Sequence, residues 1–582
     1  MADQYQEQTL TNVKQNRPRV LMLAAENGAI AGAKVGGMAD VVRDLPLALA
    51  KHNVAVDVAM PSYGFLQDTI SAKQICKLRV NFAGRVEQVS VFKAAHPSLD
   101  DCYCYLFSHP LFNAGGEIYS QGDASRPFAT DASKFALFSL AVATALTDDS
   151  QAIEANETSS VIMPPPDVIH LHDWHCGFFA ILRALEPNFE ALLATPCVFS
   201  IHNLALQGIR PLTDEVSSLA AWFPQLTAQL DEQQLAAIVD PRYRHCVNPL
   251  RAAIVLSDRV HLVSPSYATE VLRPSMPEQG FFGGEGLELE LQEKLEQGRV
   301  IGILNGCMYD TDIQDQQTYL SSARAQFSVS DWQALLLQAE SALLRWQVGK
   351  EQVSSQHFVA QSRLQQWQNS APLEALQSGL AEEARFLMTS VGRLTDQKVM
   401  ILRYRFSSAA ANESFHGKTV LQVLLERLAL LKPNGQFILL GSGDKQIARE
   451  FSDLAAQYNN FVFLDGYDEQ LSSSLYQLGS LFLMPSSFEP CGISQMLAMR
   501  EGQLCLVNHV GGLKDTVQHM ETGFVFAGND IHEQGVALIA IFEAAIALHG
   551  SDKWRAMEQL ALQQRFDWHS QAKQYVDKLY CL

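Results

Sequence analysis

The chain has few of the features that mark nucleic-acid-binding, metal-binding or disulfide-rich proteins. Its 582 residues carry 43 lysine and arginine residues against 63 aspartate and glutamate residues, a formal net charge of -20. Because nucleic acids and anionic membranes bind clustered basic residues, we expect neither as a partner. Ten cysteines are scattered along the chain, and Cys102 and Cys104 form the only close pair. No paired CxxC spacing predicts a zinc site, so we expect reduced thiols and no metal.

Long apolar segments are also scarce. The N-terminal segment up to Val20 lacks the uninterrupted apolar core of a signal peptide, and we expect no later run to be apolar enough to span a bilayer. These patterns predict a cytoplasmic protein with no membrane partner. The composition, 47% hydrophobic and 18% charged, is typical of a globular protein, and the length indicates at least two domains.

Short apolar runs that each end in a polar motif recur along the chain. They alternate with helical patterns, which predicts an α/β fold with parallel strands and polar residues at the strand ends. A first series comprises VLMLAAE, VAVDVAMP, DVIHLHDWH, CVFSIHN and RVHLVSPS, and a second comprises FLMTSVGRL, FILLGSGD, FVFLDGY, LFLMPSSFEP and CLVNHVGG. The segment between the two series, about 311–383, is rich in Gln, Ser and Ala and is predicted to be helical.

Glu489 is the most informative candidate residue. It follows the predicted strand Leu481–Met484 and directly precedes Pro490, and a helical pattern begins after Gly492. In doubly wound sheets ligands bind outside the carboxyl ends of the strands, so this turn is a candidate active site. The alternative is a carboxylate that only interacts favourably with the helix dipole.

A second candidate is the motif KVGGMADV, which follows the first predicted strand. Gly36 and Gly37 would let the backbone approach a phosphate at a helix start, and Lys34 would add a positive charge. The alternative is a helix-entry turn with a solvated lysine.

Taken together and in order, the motifs resemble one family. KVGGMADVVRDLP, DVIHLHDWHCG, IHNLALQG, VSPSYATEV, GILNG, VGRLTDQK, LLGSGD, MPSSFEPCGISQ and GGLKDTV make the chain similar to bacterial glycogen synthases and plant starch synthases. These are retaining glucosyltransferases of glycosyltransferase family 5. The resemblance implies transfer of glucose from a nucleotide sugar, usually ADP-glucose, to the nonreducing 4-hydroxyl end of an α-1,4-glucan. ADP-glucose would be a substrate, and no cofactor is implied.

The family architecture, GT-B, implies two Rossmann-like domains whose parallel sheets face a deep interdomain cleft. We expect an acceptor-side domain at 1–305, joined by a C-terminal helix at 556–582, and a donor-side domain at 306–555. The divergent helical segment at about 311–383 falls in the donor-side domain. No oligomeric state is predicted.

The resemblance implies donor-side roles. Glu489 matches a functional carboxylate near the glucose, where it could stabilise positive charge or orient a sugar hydroxyl. Arg393 and Lys398 match cations that stabilise the departing diphosphate, so no metal would be required. Tyr467 resembles an aromatic that packs on the nucleotide base, although a rim tyrosine would look the same. The amides of Gly492, Ile493 and Ser494 would bind the phosphate at the helix start, and Cys491 is a further substrate-binding candidate in the same turn.

Other roles fall in the first domain. His172 matches a histidine that touches the transferred glucose. His202 and Asn203 are expected to border the cleft, and Gln207 to shape the adjoining loop. Asp131 aligns with an aspartate near the acceptor, although it could instead be the N-cap of the helix that follows it.

Several positions depart from the family pattern and motivate two alternatives. Val399 stands where glycine is usual, and Met308, Glu501 and Asn508 also differ. Val399 lacks glycine's backbone freedom, so a displaced Lys398 loop is expected. The alternatives are a GT-B glucosyltransferase that uses UDP-glucose or a small acceptor, and a noncatalytic glucan-binding homologue. The acidic motif 310–312 resembles a metal site of another fold, but its place after GILNG predicts a hinge.

Overall fold

The chain folds as two compact units. The computed structural model describes residues 17–113, 117–120, 126–147, 151–153, 162–309, 329–348, 354–369, 386–407 and 413–582. Unit 1 comprises Met1–Ser275, Gly283–Met308 and Asp567–Leu582, and unit 2 comprises Met276–Phe282 and Tyr309–Phe566. The units therefore divide a few residues after the first predicted boundary and about ten after the second. The motif 310–312 lies outside the described residues.

Unit 1 is built on a ten-stranded sheet in the order β12-β11-β8-β7-β1-β2-β5-β4-β3-β6, with β9 and β10 paired separately. The strands are β1 (Arg19–Leu23), β2 (Ala55–Pro61), β3 (Lys73–Phe82), β4 (Arg85–Ala95), β5 (Tyr103–Ser108), β6 (Ala152–Ile153), β7 (Val168–His172), β8 (Cys197–Ile201), β9 (Arg210–Pro211), β10 (Cys246–Val247), β11 (Arg259–Leu262) and β12 (Val300–Gly302). The central strands are buried, as their continuous apolar runs predict.

Ten α-helices described in unit 1 lie between β1 and β12 in the sequence. They are α1 (Gly37–Lys51), α2 (Leu66–Thr69), α3 (Ala129–Thr147), α4 (Gly177–Leu185), α5 (Leu219–Trp222), α6 (Pro224–Gln229), α7 (Glu232–Ile238), α8 (Pro249–Leu256), α9 (Pro265–Glu270) and α10 (Glu288–Glu296). Short 3₁₀ turns include Trp174–Cys176, which is separated from β7 by Asp173 alone.

The sheet of unit 1 is not wholly parallel, contrary to the prediction. It is parallel from β12 to β5, but β4, β3 and β6 add antiparallel strands. The β3–β4 hairpin turns at Ala83 and Gly84, both with positive φ, as in a two-residue hairpin turn. Two strand-like runs separated by these two residues indicate a β-hairpin. The prediction missed it because it was based on the alternation of strands with helices.

Unit 2 contains a six-stranded sheet, entirely parallel, in the order β15-β14-β13-β16-β17-β18. Its strands are β13 (Leu387–Val391), β14 (Gln436–Gly441), β15 (Phe461–Asp465), β16 (Leu481–Met484), β17 (Leu504–Asn508) and β18 (Gly523–Phe526). Its α-helices are α11 (Val329–Gln347), α12 (Ser355–Asn369), α13 (Asp396–Arg403), α14 (Val420–Leu431), α15 (Lys445–Gln457), α16 (Glu469–Leu478), α17 (Ser494–Arg500), α18 (Gly511–Thr516), α19 (Ile531–Leu548) and α20 (Asp552–Gln563). The chain ends in α21 (Trp568–Gln574) and a π-helical turn (Tyr575–Tyr580) of unit 1.

The divergent segment supplies α11 and α12, which form part of the core of unit 2. Trp332, Leu336 and Leu343 of α11 pack in one cluster with Ile438 of β14 and Leu464 of β15. The described part of this segment is therefore a layer against the sheet, and its polar composition reflects the opposite, solvent-facing sides of the two helices.

Two helices are long and apolar enough to cross a membrane by length and composition, α3 and α19, so the expectation that no run is apolar enough is wrong. Within α3, 78% of the apolar window is buried in the protein, where the helix packs against α4 and β3. Helices that cover the apolar face of a sheet pass the same test.

Candidate functional site

The predicted residues gather at the switch point of each sheet, where strand order reverses. In unit 2, β13 lies between β14 and β16, and Arg393 and Glu489 follow β13 and β16. In unit 1, β1 lies between β2 and β7, and His172 ends β7. At a switch point, the connections after two neighbouring parallel strands lead to opposite faces of the sheet. They leave a crevice at the carboxyl ends of the strands, which is the usual ligand site of such sheets.

Lys398 and Glu489 form an ion pair in unit 2. Glu489 is only 5% exposed, and the hydroxyl of Ser486 donates a hydrogen bond of 2.9 Å to the same carboxylate oxygen, Oε2. A buried carboxylate requires such partners, because leaving it unpaired is costly. Ser486 was not among the residues predicted from the sequence. A serine three residues before a glutamate is too common to predict a hydrogen bond between them.

Arg393 and Lys398 line one small pocket at the carboxyl ends of β13 and β16. Gly392, Val399 and Pro485 also contribute to its wall. Arg393 is exposed, whereas the ammonium of Lys398 is held by Glu489. The structure thus brings the two predicted cations to the wall of one pocket.

Hydrogen bonds fix the loop that carries Glu489. The side-chain amide of Gln397 donates to the carbonyl of Phe488 at 2.8 Å, and the amide of Ser487 donates to the carbonyl of Gln397 at 2.9 Å. Asn508, one of the departures from the family pattern, donates to the carbonyl of Ser486 at 3.0 Å from a buried position. Asn508 therefore supports the candidate site in place of the residue that is usual there.

The expectation that Val399 displaces a Lys398 loop is wrong. Helix α13 begins at Asp396, so Lys398 and Val399 both lie in its first turns. The amide of Val399 donates to the carbonyl of Thr395 at 3.1 Å, and the valine side chain is buried. Valine adopts helical φ and ψ without strain, so this position has no need of glycine.

The turn after Glu489 leads into α17. Gly492 has φ +76°, and a Cβ there would lie 2.4 Å from the side-chain oxygen of Gln495, so only glycine fits. Cys491 is buried, with Gly512 packed against its backbone. Ile493 is the N-cap residue and Ser494 the first residue of the helix, so the amides predicted to bind phosphate do open a helix.

Tyr467 follows β15, the edge strand of the sheet in unit 2, and is 53% exposed. Its ring is accessible for stacking, whereas its backbone carbonyl accepts a hydrogen bond from the indole of Trp346 at 3.1 Å.

In unit 1 the glycine-containing loop is bound by a carboxylate that the sequence did not single out. Glu26 accepts hydrogen bonds from the amides of Val35 at 2.7 Å and Gly36 at 2.6 Å, and Tyr119 donates to its other oxygen at 2.6 Å. Gly36 is the N-cap of α1, which begins at Gly37. The amides predicted to bind a phosphate therefore already hold an anionic group.

Lys34 lies beside this loop and is exposed. Its ammonium forms an ion pair with Asp40 at 2.7 Å. Since exposed ion pairs contribute little free energy, the lysine can exchange this partner for a ligand at small cost.

Histidines form a second cluster at the end of β7. Nδ1 of His172 lies 3.0 Å from Nε2 of His202, and Nε2 of His172 is buried with no hydrogen-bond partner among the described residues. The carboxylate of Asp173, a residue with φ +56°, accepts from the amide of His202 at 2.7 Å and so joins the ends of β7 and β8. A buried ring nitrogen without a hydrogen-bond partner at the carboxyl end of a strand is a candidate contact for a ligand.

Burial keeps these histidines neutral. Desolvation lowers the pKa of His172 and of His202 well below the usual 6.5, and charge on the other histidines would lower it further. Desolvation also lowers the pKa of His175 to about 3. Neutral imidazole has one donor and one acceptor nitrogen, so Nε2 of His172 can exchange a hydrogen bond with a sugar hydroxyl.

Gln207 is held entirely by the protein. Its carbonyl oxygen accepts from Arg242 and Asn248, both at 2.7 Å, and its amide donates to the carbonyls of Leu204 and Glu285 at 3.1 Å. These four hydrogen bonds fix the loop after β8. Asn203 lies at the start of this loop, where its side-chain oxygen accepts from the amide of Ala205 at 3.0 Å.

Asp131 lies in the first turn of α3, which begins at Ala129, so the N-cap alternative is wrong. Its carboxylate accepts from the amide and hydroxyl of Ser120, the latter at 2.7 Å, and pairs with the fully buried Lys134 at 3.2 Å. These contacts anchor the segment that carries Tyr119.

Among the described residues, no group of three His, Cys, Asp or Glu side chains is placed to hold a metal ion.

Two family models match the chain. Residues 19–293 match the starch synthase catalytic domain, and residues 414–543 match the glycosyl transferases group 1 domain. The first covers most of unit 1 and the second part of unit 2.

Curated relatives match over nearly the whole length. A glycogen synthase from Streptococcus equi subsp. zooepidemicus is 29% identical over 569 residues, covering 96% of this chain and 98% of the relative. A glycogen synthase from Gloeobacter violaceus is 29% identical over 575 residues, with the same coverage.

A solved structure is also similar. The catalytic domain of starch synthase IV from Arabidopsis thaliana, bound to ADP and acarbose, matches with a TM-score of 0.67 and 26% identity, covering 97% of this chain and 99% of that one. Over nearly its whole length the chain is therefore similar to glycogen and starch synthases, and its fold is that of the GT-B glycosyltransferases.

Proposed function

We propose that this chain transfers the glucosyl group of ADP-glucose, with retention, to the nonreducing 4-hydroxyl end of an α-1,4-glucan. The observation that carries the proposal is the Lys398–Glu489 ion pair at the switch point of unit 2, beside the exposed Arg393. The names of the relatives support a glucan acceptor, and the ADP bound to the similar starch synthase supports an adenine nucleotide. A cytoplasmic location is part of the proposal.

In this proposal Arg393 and Lys398 bind the diphosphate of the donor. Cleavage of the bond between sugar and phosphate loads negative charge onto the departing ADP, so fixed cations stabilise the transition state more than the ground state. Lys398 has three N–H donors and can contact a phosphate while it keeps Glu489. The two cations supply the charge stabilisation themselves, and we propose no metal or cofactor.

Glu489 acts on the sugar side. A carboxylate held in one orientation by Ser486 and Lys398 can stabilise positive charge at the anomeric carbon or orient a sugar hydroxyl. We do not assign it as a covalent nucleophile, because retaining hydrolases use two close carboxylates for that chemistry. Retention would follow from a front-face reaction in which the leaving phosphate takes the acceptor proton.

In unit 1, His172 supplies a sugar contact through the unpartnered Nε2. The amides of Val35 and Gly36 already bind Glu26, so Lys34 is the group of this loop that we assign to the donor, and the glycines serve to place it. Asp131 acts as a positioning residue through Ser120.

The test is release of ADP from ADP-glucose, with glycogen, maltotriose or no acceptor, and of UDP from UDP-glucose in parallel. We expect ADP release that requires the glucan, persists in EDTA and falls by at least about 100-fold in Glu489→Gln. Glu426→Gln, which removes a carboxylate from an exposed ion pair of the same unit, is the matched control.

The alternatives give different results. UDP release that exceeds ADP release would assign the UDP-glucose reaction. Glucan binding with no turnover from either donor, unchanged in Glu489→Gln, would identify a noncatalytic homologue and overturn the proposal.

A further inference from the structure

We propose that Trp346, on helix α11, positions Tyr467 for stacking against the nucleotide base and so sets the affinity for the adenine nucleotide. This inference rests on the proposed function, because it concerns the base of the same donor. The motifs of the sequence do not point to this tryptophan, which lies in the divergent segment.

Two consecutive residues at the end of α11 hold three consecutive residues after β15. The indole Nε1–H of Trp346 donates to the carbonyl of Tyr467 at 3.1 Å, and Arg345 forms an ion pair with Asp468 at 2.5 Å. The indole also lies flat against the backbone of Gly466, where an added Cβ would be 2.6 Å from three ring atoms. The backbone on both sides of Tyr467 is therefore fixed, while its side chain stays accessible.

The indole itself stands on a rigid element. Trp332, Leu336 and Leu343 of the same helix are at most 3% exposed and pack against the sheet of unit 2. A side chain on a packed helix is positioned more accurately than one on a loop. The hydrogen bond and the ring contact thus transmit the position of the core to the loop 466–468.

The location suits a nucleotide whose diphosphate binds at Arg393. Tyr467 follows β15, and β15 lies two strands from β13, about 10 Å across the sheet at normal strand spacing. This separation is comparable with the distance between the diphosphate and the base of an extended nucleotide. An aromatic ring fixed at that point stacks on the base without first losing the freedom of its backbone.

The test compares two tryptophans that make the same hydrogen bond at opposite ends of β15. Trp346→Phe removes the indole donor at the carboxyl end, and Trp367→Phe removes a 2.9 Å indole bond to the carbonyl of Asn459 at the other end. We expect Trp346→Phe to weaken ADP binding about five-fold by titration calorimetry and to raise KM for ADP-glucose similarly, with kcat changed less than two-fold. Trp367→Phe should lower the melting temperature but leave both constants unchanged.

A double-mutant cycle separates positioning from general stability. In a Tyr467→Ala background, Trp346→Phe should have no further effect on ADP binding, because the ring that it positions is gone. Equal losses in both backgrounds, or unchanged ADP affinity in Trp346→Phe, would overturn the inference. The proposed function fails differently, through absence of glucosyl transfer by the unmodified protein.

Discussion

The ammonium of Lys398 is ion-paired with the carboxylate of Glu489, and the two residues come from different strand-to-helix connections of one sheet. Lys398 lies in the first turn of α13, after β13, and Glu489 lies in the turn after β16. The pairing across the switch point gives a carboxylate that is only 5% exposed a partner before substrate binds.

Removal of Lys398 should therefore harm both chemistry and stability. In Lys398→Ala we expect kcat/KM to fall by at least about 100-fold, because a cation that stabilises the leaving group is lost. The buried Glu489 also loses its partner, which should lower the melting temperature. Steady-state kinetics and thermal unfolding provide the measurements.

Lys418→Ala is the matched control, because it removes the exposed Lys418–Glu426 ion pair of the same unit. Exposed pairs contribute little, so both properties should stay near those of the unmodified protein. Equal effects of the two substitutions would show that Lys398 has no special role.

The substitution Val399→Gly, which introduces the residue usual in the family, should destabilise the protein. Val399 is helical and 6% exposed, so Val399→Gly loses helix propensity and buried surface, together about 2 to 3 kcal/mol of unfolding free energy. Urea unfolding measures the loss, and kcat should not rise. An increase in kcat would mean that the valine does impair the Lys398 turn.

Gly208 should tolerate no side chain. It has φ +66°, and a Cβ there would lie 2.0 Å from the ring of Trp174, whereas Gly298 has φ +69° with nothing within 4 Å of its Cβ position. Gly298→Ala should cost about 1 kcal/mol for the backbone alone, and Gly208→Ala about 2 kcal/mol more for the clash. Equal losses in urea unfolding would contradict the tight contact with Trp174.

Acid should destabilise the protein from about pH 6.5 downwards. Desolvation lowers the pKa of His175 to about 3 and of His261 to about 4. Between these values and the unfolded pKa of 6.5 the unfolded chain binds more protons, so unfolding becomes easier as pH falls, by about 2 kcal/mol per histidine at pH 5. Urea unfolding between pH 7.5 and 5 measures the slope.

A single substitution tests the assignment of that slope. His175→Phe should reduce the proton uptake on unfolding at pH 5 by about one, because one of the histidines that titrate only in the unfolded chain is gone. An unchanged slope in His175→Phe would exclude that histidine as a source of the acid sensitivity.

The sequence predicted the parts of the fold that depend on local pattern. Continuous apolar runs gave the central strands, and the motifs at their ends identified Glu489, Arg393 and His172 at the two switch points. These predictions succeed because the carboxyl ends of parallel strands share one edge of a sheet, whatever the intervening chain does.

Contacts that depend on the path of the chain between two residues could not be predicted from the sequence. Glu26 binds the amides of Val35 and Gly36 only because of the path of the intervening loop, and Trp346 meets Tyr467 across 121 residues of chain. Val399 was misjudged because the start of α13 at Asp396 was not recognised. The two missed contacts and the wrong prediction all depend on the path of the backbone, which single residues specify weakly.

The most direct measurement of the central claim is incorporation of label from ADP-[¹⁴C]glucose into glycogen, followed by digestion with β-amylase. The unmodified protein should label the glycogen and β-amylase should release the label as maltose, while Glu489→Gln should bind ADP normally and incorporate at least about 100-fold less. No incorporation by the unmodified protein, or label that β-amylase does not release, would contradict transfer to the nonreducing 4-hydroxyl end of an α-1,4-glucan.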